Sequence, residues 1–170
     1  NTSTDRTITL PDATGTLATT ADITSLAGID DQSSSNDDQL TIKDAEVVIN
    51  EDSDDVDFRV ESDNDANAFF VDGATGNVGI GVTPEAWTVF KVLQLAGEGV
   101  FRGHTDANED VAIERNVYYD GSWKRINTSQ AQSILLDNAG AIIFKVAASG
   151  SADATISFTS AMTINNSGQL

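Results

Sequence analysis

Apolar and polar residues alternate over short stretches of this chain, and no stretch sustains the period of an α-helix. Val56, Phe58 and Val60 alternate with Asp57, Arg59 and Glu61, the period of two expected of a strand with one wet face. Leu40 and Ile42 share one parity and Val47 and Ile49 the other, so the register shifts near Lys43 to Ala45 through a turn or a bulge. Val78, Ile80 and Val82 alternate with Gly79 and Gly81. Glycine at every second position weakens a strand unless another backbone comes very close. Packing of chains about a symmetry axis is one setting that demands this, which marks Val78, Gly79, Ile80 and Gly81 for inter-chain packing. Further strand segments are Phe90/Val92, Leu93/Leu95, Val111/Ile113/Val117, and residues 134–136, 142–146, 156–158 and 162–164. Residues 83–87, with Pro84 near their start, read as a break into a short turn or helix. The class is all-β, with short strands, hairpins and no substantial helix.

One turn device recurs. An apolar residue, Asp or Asn, two or three residues, Gly, any residue and an apolar residue follow one another at 10–17, 71–78, 136–142 and 164–170. The paired turn residues are Asp12 with Gly15, Asp72 with Gly76, Asp137 with Gly140, and Asn165 with Gly168. Asp and Asn start such turns because their short side chains bond nearby backbone N–H groups. Glycine closes them because that position calls for positive φ. Asp120-Gly121, between Tyr119 and Trp123, is a separate hairpin signal.

These signals divide the chain into a β-hairpin or linker unit at 1–28, an acidic polar linker at 29–39, a β module at 40–82, and a second β module at 83–170. The sequence starts without Met and stops inside the fourth turn motif, so it reads as a segment of a longer chain.

The 27 acidic residues against nine Lys and Arg give a net charge of −18. That balance argues against nucleic acid or an anionic membrane as partner. No apolar stretch approaches a membrane span, and with no Cys there are no disulfides or thiolate metal sites.

The candidate chemistry is thin. Asp63, Asp65 and Asn67 start like a calcium loop, but Ala68 stands where such a loop has Gly, and Ala74 where it has Glu. The segment reads as a polar turn. Asp52, Asp54, Asp55 and Asp57 read as a solvated acidic loop. His104 is the only His; Asp106 and many Ser could complete a triad, but no G-x-S-x-G elbow occurs. The expectation is an exposed loop His and no catalytic residue. No cofactor is implied. Trp87, Tyr118, Tyr119 and Trp123 are a possible sugar-stacking patch, set against packing in a core or between chains. Tyr119 and Trp123 should face each other across their hairpin.

Three stretches carry a resemblance. Residues 58–63, 70–73 and 76–81, ending in Gly76-Asn77-Val78-Gly79-Ile80-Gly81, resemble a segment that recurs between β modules of bacteriophage tail-fibre and related virion fibre proteins. Residues 6–17 are similar to a linker common in the same proteins. Residues 84–87, 116–124 and 161–168 resemble a module often found before a C-terminal chaperone domain. The resemblance implies a homotrimeric fibre of interleaved strands, located in the virion after assembly in the host cytoplasm, with other virion tail components as partners. It implies a structural shaft or connector supporting host attachment. The alternatives are a module that binds a host surface glycan through residues 100–130 and, third, a polysaccharide depolymerase.

Overall fold

The computed structural model describes residues 40–42, 45–50, 55–107 and 109–170. The units expected at 1–28 and 29–39, including the Asp12–Gly15 turn, lie outside them. Two strands, β1 (Leu40–Ile42) and β2 (Val47–Ile49), form an antiparallel pair with Leu40 opposite Ile49 and Ile42 opposite Val47. The two parities thus belong to two paired strands; Lys43 and Asp44, where the shift was expected, lie outside the described residues.

The other strands are β3 (Phe58–Val60), β4 (Phe69–Val71), β5 (Val78–Ile80), β6 (Phe90–Leu95), β7 (Gly99–His104), β8 (Val111–Arg115), β9 (Tyr118–Tyr119), β10 (Trp123–Lys124), β11 (Ser129–Leu136), β12 (Ile142–Gly150) and β13 (Thr159–Ile164). The described residues hold no helix, and the chain is all-β. Nine strands make one sheet in the order β3, β4, β5, β6, β7, β8, β11, β12, β13, while β9 and β10 pair separately as a hairpin. Each strand of the large sheet thus lies beside its neighbour in sequence. All pairs are antiparallel except β5 with β6.

That parallel step requires a connection crossing one face of the sheet, and residues 81–89 supply it. The boundary expected at 82/83 falls inside this connection, and one continuous sheet runs through both modules. Residues 83–87 form no helix. Three further expectations change. Phe90 to Leu95 is one strand, with Phe90, Val92 and Gln94 buried on one side and Lys91 and Leu95 exposed on the other. Residues 156–158 are not a named strand; Ile156 instead packs into the core and donates its N–H to the Trp123 carbonyl at 2.8 Å. Val117 does not continue the β8 alternation, because Asn116 adopts φ +58 and turns the chain, burying Val117 and Tyr118.

One face of the sheet, here called inner, is covered by the chain's own connections. The 81–89 crossing, the β9–β10 hairpin and the loop after β12 lie over it. Trp87, Phe90, Val92, Val100 and Tyr118 form one buried cluster. Val117, Ala131, Ala147 and Ile156 form a second. Half-buried Trp123 packs against both.

Candidate functional site

The inner face carries buried charge. Arg102 on β7 and Glu114 on β8 are almost fully enclosed, with Arg102 Nε and Nη2 donating to the two Glu114 oxygens at 3.0 and 3.2 Å. Arg102 also donates to Asp110 at 3.3 Å, and the Ser133 hydroxyl donates to Glu114 at 2.9 Å. The guanidinium lies 4.4 Å from the Phe90 ring centroid and 4.8 Å from that of Trp123. A buried pair survives desolvation only with this degree of satisfaction. Alternation alone gave no sign of these residues; a strand carrying Arg102 between Phe101 and Gly103 looks merely polar on one side.

Arg125 is the second buried cation. It donates to the carbonyls of Ser129, Ala148, Ala154 and Thr155. It thereby fastens the loop after β12 to β11 and β12. A side chain at Gly150 would collide with it.

The four aromatic residues of the expected patch share one cluster but differ in burial. Trp87 and Tyr118 are core residues, 4% and 6% exposed. Trp87 meets Phe90 edge-on, and the Tyr118 hydroxyl donates to Asp153 at 2.7 Å. Burial, and then that bond, push the Tyr118 phenol well above its usual range. Burial, and secondarily the Asp153 charge, raise the carboxyl of Glu85. Tyr119 and Trp123 are cross-strand partners, as the hairpin signal suggested, with rings 4.9 Å apart. The hydrogen bond from Lys124 holds the turn carboxyl of Asp120 below the usual carboxylate range. With Val89, Phe90, His104, Asp110, Asp137 and Asn138 these two rings line a pocket of about 330 Å³. Val89 stands there at φ +56, a strained value for a β-branched residue, with its carbonyl accepting from both Thr105 N and Oγ1.

His104 is not a loop residue. It ends β7, packs 4.5 Å from the Phe90 ring centroid, and holds Asp106 at 2.7 Å with its side chain only 10% exposed. Burial against Phe90 follows from its pairing opposite that residue in the ladder.

The calcium-like residues occupy the β3–β4 turn. Asp65 Oδ1 accepts from Asn67 N at 2.8 Å, and Asn67 Nδ2 reaches Thr83 at 3.3 Å. Asp65 thus serves the backbone of the turn, while Asn67 ties the turn to the 81–89 crossing. No group of three His, Asp or Glu side chains placed to hold a metal occurs among the described residues.

Three of the four turn motifs fall in the described chain. At 137–141 and 165–169 the geometry is the same. The first residue's side chain accepts from the N–H four residues on, at 2.7 and 2.9 Å. Glycine donates back to its carbonyl at 3.0 and 2.9 Å, with φ +86 at Gly140 and +74 at Gly168. The third copy, one residue longer, has Asp72 accepting from Thr75 N at 2.6 Å and Gly76 at φ +66.

The two glycines of the alternation have close neighbours within the chain. β5 ends at Ile80, and Gly81 is a turn residue at φ +69. A side chain on Gly79 would strike the Val82 carbonyl and Pro84 of the same chain. The backbone that comes close is the chain's own crossing segment.

The opposite, outer face is exposed over its middle strands, while at the β3–β4 end Phe58 and Val71 line a cavity with Ile49 and Asn50. Following the register across the sheet, Phe58, Val71, Val78, Leu93, Phe101, Ile113, Ile134, Phe144 and Met162 stand side by side. One apolar row therefore crosses all nine strands. Phe101 is 49% and Ile113 55% exposed. Comparison with protein-family models, curated proteins and solved structures finds no match.

Proposed function

We propose that this chain is a structural, non-catalytic segment of a virion fibre of the bacteriophage tail-fibre type, assembled as a homotrimer and supporting host attachment. The observation that carries this reading is the strand order. Nine strands follow one another across the sheet in chain order, so the body extends stepwise in one direction. At about 4.8 Å per strand the sheet is about 40 Å wide. Repeated Asp/Asn–Gly turns join β4 to β5 and β11 to β12, and a third follows β13. Such a plan builds length and surface. Native mass spectrometry tests it: a mass of three chains is expected, with elongated particles in electron microscopy. A compact, stable monomer would overturn it.

A second reading, binding of a surface glycan, is favoured by the pocket that Tyr119 and Trp123 line with Asp110 and Asn138. Aromatic faces beside hydrogen-bonding groups suit a neutral sugar. A glycan array probed with the purified chain separates the readings, since a pure shaft gives no signal.

A further inference from the structure

We propose that copies of this chain meet through the outer face of the nine-stranded sheet, centred on Phe101, Ile113 and Ile134. The proposal rests on the self-assembling reading above and deepens it by naming the contact surface and its occupant, a second copy.

The first argument is composition by face. The chain carries 27 Asp and Glu, yet none stands at an outward position paired within this sheet. Its outward charges are Lys91 and Arg115. Both are engaged within the chain, Lys91 with the Thr75 carbonyl and Arg115 with Glu98 at 2.6 Å. Two copies of so acidic a chain repel each other wherever carboxylates face carboxylates. The outer face is where they approach without that cost.

The second argument is size. Flanking the central row are Ile80 and Leu95 on one side and Leu136 on the other, all more than two-fifths exposed. Rows of next-but-one residues lie about 7 Å apart. The outward positions, two on each of β3, β4 and β5 and three on each of the other strands, together span roughly 800 Å², about one partner's share of a standard stable interface.

The third argument is shape. Each strand is rotated roughly 20–25° from the next, so the row winds across the sheet. A flat or oppositely curved partner would touch only a few strands of it. Sheets of equal twist follow one another without splaying apart, and every copy in a trimer has equal twist by identity, so the outer faces can turn toward a common axis. The assignment moves the contact away from Gly79 and Gly81, whose close neighbours are intrachain.

Light scattering of the purified chain, of Ile113→Glu and of Ala152→Glu tests the proposal. Ala152 is exposed on the loop after β12, which Arg125 fastens over the inner face. The wild type and Ala152→Glu are expected as the same oligomer. Ile113→Glu should have the mass of one chain with an unchanged far-ultraviolet spectrum, its self-affinity at least about a hundredfold weaker, because an unpaired carboxylate would enter a dry contact. An oligomeric Ile113→Glu sinks the face assignment and leaves self-assembly standing. A monomeric wild type sinks both. If Ile113→Glu fails to fold, single-cysteine variants decide, since the chain has no Cys of its own. A short bismaleimide should then link Ile113→Cys chains and not Ala152→Cys chains; the reverse pattern overturns the proposal.

Discussion

The two faces of the sheet are arranged opposite to the usual rule. The inner face, covered by the chain itself, holds Gln94, Arg102, Glu114 and Ser133 between its apolar residues. The outer face, which the chain leaves exposed over its middle strands, holds Leu93, Phe101, Ile113, Ile134 and Phe144 in a row. Buried polar groups are costly unless bonded; here Arg102, Glu114 and Ser133 bond one another, and Gln94 accepts from the Glu85 N–H while its amide nitrogen is left without a partner. Exposed apolar groups in such number mark a surface that is covered in use. The inner face therefore specifies the fold of one chain, whereas the outer face is the surface proposed above for contact between copies. Variants on the two faces should separate these roles when measured at concentrations where the chain is dissociated.

The largest effect is expected from breaking the inner ion pair on one side. Glu114→Ala leaves Arg102 enclosed with only Asp110, and should cost about 3–5 kcal/mol in urea unfolding. Replacing both partners, as Arg102→Leu with Glu114→Leu, should cost much less, because no uncompensated charge remains. If the double variant is no more stable than Glu114→Ala, the pair does more than neutralise itself, and the account of the inner face needs revision.

Aromatic truncation sharpens the same contrast. Phe90→Ala, at 6% exposure, should cost about 3–5 kcal/mol. Phe101→Ala sits on the outer face, at 49% exposure, and should cost under about 1 kcal/mol in the dissociated chain. Equal losses would show that the outer face contributes to single-chain folding after all.

What was legible in the sequence follows the same division. Alternation located the strands, because period two is a property of the strand itself. The Asp/Asn–Gly turns and the Tyr119–Trp123 pairing were legible because they depend on residues only a few positions apart. The face to which each alternating set turns was not legible. It is set by which connections cross the sheet, and the residue that orders the crossing, Gly79, makes its contact with Val82 and Pro84 three to five residues on. That local clash gave the glycine alternation which suggested packing between chains. His104 was misplaced for a related reason: its burial comes from pairing with Phe90, fourteen residues earlier. Arg102 and Glu114 gave no signal because a charged residue on a strand ordinarily faces water, and Arg125, in the connection after β10, because one in a loop does so too.

The turn glycines give a smaller effect that does not depend on face. Gly140→Ala and Gly168→Ala place a side chain at φ +86 and +74 and should each cost about 1 kcal/mol. Gly103→Ala is the control: it lies in β7 with nothing near its added carbon, and the change should stay within about 0.5 kcal/mol. Circular dichroism melts of the three variants in parallel decide this, and equal shifts would remove the special role of the motif.

The smallest expected effect concerns the cover of the inner face. Glu85 lies on the 81–89 crossing, and its backbone N–H donates to buried Gln94 at 2.9 Å. Its side chain is raised from the ordinary value of 4.5, first by burial and then by the charge of Asp153 on the loop after β12. A raised carboxyl means that the folded chain holds its proton more tightly than the unfolded one. The associated stability is fully present below 4.5 and is lost as pH rises through the folded value. Above that, two covering segments, the crossing and the loop, carry charges of the same sign near each other. Glu85→Gln removes one charge and keeps the backbone bond to Gln94. Its melting temperature should therefore exceed that of the wild type at neutral pH, with the gap closing as pH falls toward 4. Parallel pH profiles for the two proteins would show that Glu85 and Asp153 do not oppose each other, and that the inner cover is closed without electrostatic cost.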